Sequence, residues 1–190
     1  MLPAIRSSIL ACTCAVMGVV TPLCALANTA APPVTAPETA ALKGAVPTAY
    51  ARLRVWGFEV YDARLWTLPG FGASQFALQP FALELKYLRQ LEGAAIASRS
   101  IDEMRRVGTF TEAQEKSWLQ AMRQLFPNVD RNDRITGLNW PGKGVEFWLN
   151  GQRLGWVQDP VFARLFFGIW LDERTSEPKM RLQLLQGLAP

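Results

Sequence analysis

The chain of 190 residues contains no histidine, and its three cysteines, Cys12, Cys14 and Cys24, all fall near the N-terminus. Histidine is the side chain whose charge changes near neutral pH, and the cysteine thiolate is a strong nucleophile. Beyond residue 24, Ser-His-Asp and Cys-His catalysis, imidazole-zinc sites and disulfides are therefore excluded. The arginines, carboxylates, tyrosines and aromatic rings that remain suit the binding of an apolar ligand with an acidic group better than bond cleavage.

The first 27 residues have the pattern of a secretory signal peptide. Arg6 supplies a positive charge, residues 9–20 form a short apolar stretch, and Ala25-Leu26-Ala27 fits a small-x-small cleavage site. We therefore predict cleavage after Ala27 and a periplasmic or secreted protein, with a retained anchor as the alternative. The apolar stretch is too short for a comfortable bilayer span, and no stable span is expected after cleavage.

Residues 28–50 are rich in alanine, proline and threonine and contain few large apolar side chains. A segment of this composition buries too little surface to offset its ordering entropy, so we predict a flexible lead-in there. Residues 51–190 are predicted to form one domain. The net charge of +4 comes from scattered basic residues, which do not indicate nucleic-acid binding. Neither a metal site nor a cofactor is predicted.

Period-two alternation of apolar and polar residues predicts strands over 51–66 (as two strands or one bent strand), 81–88, 134–140, 145–149 and 152–157. Asn150-Gly151 is a strong hairpin signal. Helical periodicity and capping signals predict a helix over 94–108 and further helices that begin at Thr111, at Asp159-Pro160 and at Ser176. In the first of these helices, Arg99 and Glu103 are placed on the polar side. Antiparallel strands with helices grouped after them predict an α+β fold, in which a layer of helices backs an antiparallel sheet.

Five side chains are candidates for a ligand-binding site. Arg52, Arg54 and Trp56 share one face of the first strand, and a guanidinium beside aromatic rings can clamp a carboxylate at the mouth of an apolar cleft. Tyr61 and Tyr87 are candidates to donate a hydroxyl to the ligand. The alternatives are solvated arginines at a strand start and core tyrosines with their hydroxyls at the edge.

Several segments resemble the bacterial exported branch of the chalcone isomerase-like family. They are residues 57–66 (GFEVYDARLW), 81–85 (FALEL) and 167–171 (FGIWL), together with the Asn150-Gly151 hairpin and the Asp159-Pro160 helix start. The resemblance covers residues 51–185 and implies an antiparallel sheet backed by helices, with a cleft between the two layers. Plant members of this family cyclise chalcones to flavanones, other members bind fatty acids, and some have no known turnover.

The isomerase site carries over to this chain only in part. Arg52, or its neighbour Arg54, stands for the arginine of the plant enzymes. The positions of the family's other polar groups hold different side chains here: Trp56, Ala94–Ile96, Glu103 and Arg164–Phe166. Each lost oxyanion donor costs about 3–4 kcal/mol of transition-state stabilisation in well-studied enzymes. Efficient isomerisation is therefore not expected.

The resulting hypothesis is an exported, non-catalytic protein that binds a fatty acid or a similar amphipathic small molecule. Two alternatives stay open. One is an isomerase or lyase in which Arg52 is the electrophile and Tyr61 or Tyr87 is the acid/base, which needs a polar group facing the arginine. The other is an envelope interaction protein, which predicts a collapsed cleft and an exposed apolar patch.

Overall fold

The computed structural model describes residues 36–189, which form a six-stranded antiparallel sheet and four α-helices. Each strand pairs with the next one along the chain, so the order in the sheet equals the order in the sequence. The strands are β1 (Val46–Val55), β2 (Phe58–Thr67), β3 (Phe81–Tyr87), β4 (Arg134–Trp140), β5 (Gly144–Leu149) and β6 (Gln152–Val157). The predicted α+β class, with a sheet backed by helices, is confirmed. The predicted signal peptide lies outside the described residues.

The helices are α1 (Gly93–Val107), α2 (Glu112–Leu125), α3 (Pro160–Leu171) and α4 (Pro178–Leu184). Local sequence signals start two of them as predicted. The Thr111 side chain accepts a hydrogen bond from the Gln114 amide at 3.2 Å, and the Asp159 side chain accepts one from the Val161 amide at 2.8 Å. Helix α4 begins at Pro178 instead of after the predicted cap Ser176, because a proline suits the first helical position. Between residues 36 and 189, no helix combines the length and apolar character needed to cross a bilayer.

The main hydrophobic core lies between the sheet and the helices. Odd-numbered residues of the central strands, such as Leu65 and Phe147, point into it and are fully buried. Helix α3 supplies its centre, and the Phe147 ring lies 5.2 Å from that of Phe166. A side chain at Gly168 would place its Cβ 2.5 Å from the Val107 side chain, so this glycine is what allows α3 and α1 to approach closely.

The opposite face of the sheet, here called the outer face, is partly covered by the N-terminal segment. A 3-10 helix over Pro37–Ala41 precedes β1, and Leu42 packs with Trp66 and Leu138 in a second, smaller core. The Glu38 carboxylate is buried and accepts a hydrogen bond from the Thr136 hydroxyl at 2.6 Å.

The flexible lead-in predicted for residues 28–50 therefore does not hold for residues 36–50. The first part of this range packs on the outer face, and residues 46–50 form the start of β1. Composition does not reveal this order, because the large apolar side chains that bury the segment come from distant strands. Residues 28–35 lie outside the described residues.

Candidate ligand-binding cavity

A cavity of about 580 Å³ lies between the sheet and the helices. Sites for small molecules have volumes of about 300–1,000 Å³ and are mostly apolar, so this cavity has the size of a ligand site. Its walls are mainly aliphatic and aromatic. They include Leu53, Tyr61, Leu85, Tyr87 and Ile135 from the sheet, and Ile96, Phe166, Ile169 and Trp170 from helices α1 and α3.

The cavity opens at the turn between β1 and β2. The lining residues that are exposed to solvent are Val55 and Trp56 at this turn, Ala95 and Arg99 on α1, and Ser176 before α4. Trp56 is 96% exposed, so it stands at the rim without covering the opening. The mouth is thus framed by a β-turn on one side and the N-terminal half of a helix on the other.

The mouth carries one cation and two carboxylates. Arg99 and Glu103 lie one helical turn apart on α1, and the Arg99 Nη2 atom is 2.5 Å from the Glu103 Oε1 atom. Glu103 is buried, and its other oxygen is 3.5 Å from the Arg106 Nε atom. Glu177 is the third charged residue in the lining. Among residues 36–189, Arg99 is therefore the guanidinium in the lining of this cavity that is available to a ligand, and its ion pair with Glu103 already offsets part of its charge.

Two tyrosine hydroxyls add neutral polar groups. The Tyr61 hydroxyl accepts a hydrogen bond from the Trp170 indole nitrogen at 2.9 Å, which leaves its own proton to donate. Tyr87 is 2% exposed, and none of the hydrogen bonds within residues 36–189 involves its hydroxyl. Burial raises the pKa of both Tyr61 and Tyr87. Both hydroxyls therefore stay protonated at physiological pH and act as hydrogen-bond donors.

The structure places the five predicted site residues in two different regions. Trp56, Tyr61 and Tyr87 line the cavity, whereas Arg52 and Arg54 do not. On β1 the neighbouring odd-numbered residues, such as Leu53, face the cavity, so the even-numbered arginines belong to the outer face. The predicted carboxylate clamp at Arg52 and Arg54 is thus not formed at the cleft.

Both arginines are paired with acidic side chains of β2. The Arg52 Nε atom is 2.6 Å from the Asp62 Oδ1 atom, and its Nη2 atom is 3.0 Å from Oδ2, which is a bidentate pair. The Arg52 Nη1 atom also donates to Glu59 at 2.7 Å, and Arg54 donates to the same carboxylate oxygen at 2.9 Å. The guanidinium of Arg52 is therefore committed to protein partners.

Helical periodicity assigned Arg99 and Glu103 to the polar side of α1, so neither was among the five predicted site residues, although the family resemblance placed Glu103 at the position of a polar group of the plant site. The spacing of residues along α1 contains a signal for Glu103. Ile96, Ser100 and Glu103 follow one another at spacings of four and three residues, so they share one stripe of the helix. A charged residue at the border of the apolar stripe can reach a cleft under the helix, and Glu103 does so.

Comparison with known proteins gives consistent results. A family model described as chalcone isomerase-like matches residues 52–186. An uncharacterized protein of Haemophilus influenzae is 32% identical over 131 residues, which cover 68% of this chain and 63% of that protein, so the match spans less than two thirds of the relative. The crystal structure of the Arabidopsis thaliana fatty-acid binding protein AtFAP1 is similar with a TM-score of 0.60 and 15% identity, covering 75% of this chain and 87% of that one.

Proposed function

The chain belongs to the chalcone isomerase-like family, and from this premise we propose that it binds a fatty acid or a similar amphipathic small molecule without turning it over. The observation that carries the proposal is the apolar cavity of about 580 Å³, to whose mouth the described part of the chain contributes one guanidinium, that of Arg99. The Arabidopsis protein of similar fold is a fatty-acid binding protein, which supports the same ligand class.

The chemistry of the walls suggests how such a ligand lies. Its acyl chain packs against apolar side chains such as Leu85, Phe166 and Ile169, where removal from water is favourable. Its carboxylate meets Arg99 at the mouth, and guanidinium binds carboxylate with charge-assisted hydrogen bonds. The neutral hydroxyl of Tyr87 offers a further donor to an oxygen atom of the ligand. The acid must share Arg99 with Glu103, which limits the affinity.

The isomerase or lyase alternative finds less support. It requires Arg52 to face Tyr61 or Tyr87 across the bound substrate. Arg52 instead lies on the outer face in an ion pair with Asp62, whereas both tyrosines line the cavity. Because burial raises the pKa of both hydroxyls, neither is suited to act as a base near neutral pH.

The test is a titration of delipidated protein with a long-chain fatty acid, followed by calorimetry. Arg99→Gln should weaken binding by about tenfold, because it removes a charge-assisted hydrogen bond from an exposed position. Arg52→Gln is the matched control, since it removes an equal charge from the outer face and should leave the affinity unchanged. An absence of measurable binding, or an equal loss in both variants, would rule out the proposed site.

We also infer that the protein acts outside the cytoplasm, because residues 1–27 have the pattern of a signal peptide. Intact-mass analysis of the protein recovered from its own host should give a chain that begins at Asn28. A chain that retains residues 1–27 would contradict the predicted cleavage and favour an anchored protein, and recovery of the protein from the cytoplasm would contradict export.

A further inference from the structure

We propose that the turn between β1 and β2 is a docking element that sets the mouth of the cavity against an anionic lipid surface. Residues 54–58 are all exposed to solvent. Three of them carry large apolar side chains: Val55 is 41% exposed, Trp56 96% and Phe58 64%. Single exposed apolar residues are common, but a group of them at one turn is typical of an interaction site.

The backbone of this turn does not account for a tryptophan. Trp56 has a φ of +50° and Gly57 a φ of +84°, so both turn residues are in the left-handed region. Asparagine, aspartate and glycine are the residues favoured there, and a bulky side chain is a rare choice. The indole is 96% exposed, so within residues 36–189 it makes almost no contact that would compensate. Its presence is therefore better explained by a partner outside the chain.

The chemistry around the turn favours a lipid surface as that partner. Tryptophan is enriched at membrane–water interfaces, where its ring is partly apolar and its N–H stays hydrated. The guanidinium carbon of Arg89 lies 5.8 Å from the centroid of the Phe58 ring. Arg131 is also exposed, and its Nη1 atom donates at 3.4 Å to the carbonyl oxygen of Leu88, the residue before Arg89.

The charge at the turn is complementary to anionic headgroups. Glu59 is the acidic residue of the turn region, and it is hydrogen-bonded to Arg52 and Arg54. Arg89 and Arg131 have no acidic partner among the ion pairs formed within residues 36–189. Exposed arginines near a membrane surface are attracted to anionic lipids, and each raises the affinity roughly fivefold. An apolar tip with basic residues beside it is the pattern of an interfacial anchor.

The position of the turn indicates that docking delivers the ligand to the cavity, and this role rests on the proposed function. Val55 and Trp56 belong both to the exposed tip and to the lining of the cavity mouth. Insertion of the tip would bring the opening to the headgroup region, where an amphipathic ligand resides. The ligand could then enter the cavity without crossing water, and Arg99 would meet its headgroup at the surface.

Quenching of tryptophan emission by brominated lipids tests the contact directly. The full-length chain is mixed with vesicles of brominated phosphatidylglycerol or brominated phosphatidylcholine. No tryptophan precedes Trp56, so any insertion of residues 1–35 does not itself produce quenching. We expect quenching with the anionic lipid, and loss of most of it in Trp56→Phe, which keeps an aromatic tip but removes the reporter. Equal quenching by both lipids, or quenching unchanged in Trp56→Phe, would overturn the proposal.

Vesicle cosedimentation supplies the second measurement, with a matched control. Phe58→Ser should weaken binding to anionic vesicles by about tenfold, because a large apolar side chain no longer enters the interface. Leu78→Ser changes a side chain that is 73% exposed away from the mouth and should have no effect. Arg89→Gln should weaken binding by roughly fivefold on anionic vesicles alone. Equal behaviour of Phe58→Ser and Leu78→Ser would rule out the docking element, as would a tip that binds a protein but no vesicle.

The docking and the proposed function can fail separately. Phe58 and Arg89 do not line the cavity, so their variants should bind a fatty acid normally in a titration without vesicles. Fatty-acid binding without vesicle binding would disprove the docking alone. Vesicle binding without fatty-acid binding would leave the docking element and refute the proposed ligand.

Discussion

The two faces of the sheet accommodate charged side chains in different ways. On the outer face, several charged side chains are paired with one another across adjacent strands, as in Arg52 with Asp62 and Arg153 with Glu146 at 2.6 Å each. On the helix face the cavity walls are mainly apolar, and helix α1 brings the ion pair of Arg99 with Glu103 to the edge of the cavity. The face that is rich in arginine is therefore not the face that holds the cavity.

The difference follows from where the carboxylate partners of each guanidinium lie. Arg52 and Arg153 on the outer face each have a carboxylate on the neighbouring strand. Arg99 has one partner on its own helix, and its side chain is 69% exposed at an opening. A bound carboxylate can share the exposed part of this guanidinium. The helix face, although it has few charged side chains, is therefore the face with a guanidinium available to a ligand.

The largest expected effect is the loss of unfolding free energy when matched leucines in the two cores are replaced. Leu65 on the helix face and Leu138 on the outer face are both fully buried. Replacing a buried leucine by alanine costs about 2–5 kcal/mol, depending on how well the site can collapse. We expect Leu65→Ala to fall near the upper end and Leu138→Ala near the lower end, because only a short N-terminal segment covers the outer core. Denaturant unfolding measures both, and equal losses would contradict the ranking.

A smaller effect concerns the competition for Arg99. Glu103→Gln removes the negative charge that the ligand carboxylate must face, and at a partly hydrated site this is worth about 1 kcal/mol, or roughly fivefold tighter binding of a fatty acid. The fatty alcohol of the same chain length is the control ligand, since it carries no charge and should bind the variant and the native protein alike. An equal gain for acid and alcohol would show that the change acts through packing.

The pH dependence of stability should differ between two carboxylates of the outer face. Burial raises the pKa of Glu84, which is 3% exposed and has one oxygen without a hydrogen bond. The folded state then holds its proton more tightly than the unfolded state, so Glu84 costs stability as the pH rises above the ordinary carboxyl value. Glu84→Gln should remove this cost, and its unfolding free energy relative to the native protein should rise from pH 4 to pH 7. A difference that stays constant over this range would disprove the assignment.

For Asp62 we expect a pH dependence of stability with the opposite sign, and it should be the smallest of these effects. Burial raises its pKa, but hydrogen bonds from Arg52 outweigh burial, so the pKa lies below its ordinary value. Its contribution is thus fully present above the ordinary carboxyl value and is lost as the pH falls through the folded pKa. Asp62→Asn should destabilise the protein at pH 7 and much less at pH 3, as measured by thermal unfolding. A loss that does not shrink at low pH would contradict the ion-pair explanation.

Local sequence signals predicted most of the elements. The hairpin at Asn150-Gly151 forms with φ values of +51° and +86°, as its residue types indicate, and β5 and β6 follow from it. The capping residues Thr111 and Asp159 start their helices as predicted. These features depend on contacts between residues a few positions apart, so they can be inferred without a fold.

The candidate site was only partly predictable, because it depends on which face of the sheet the helices cover. Alternation along β1 separates Arg52 from Leu53, but it does not say which of the two faces the cavity. Likewise, the composition of residues 36–45 does not reveal the distant tryptophans and leucines that bury this segment.

The sequence by itself determined the periodicities, the turns and caps, and a chemistry restricted to arginine, carboxylate and hydroxyl groups, because these are properties of neighbouring residues and of residue types. Only the tertiary structure decided that Arg99 stands at the cavity mouth while Arg52 lies behind the sheet. The packing of α1 and α3 onto one face sets that outcome, and it arises from contacts between residues far apart in the chain.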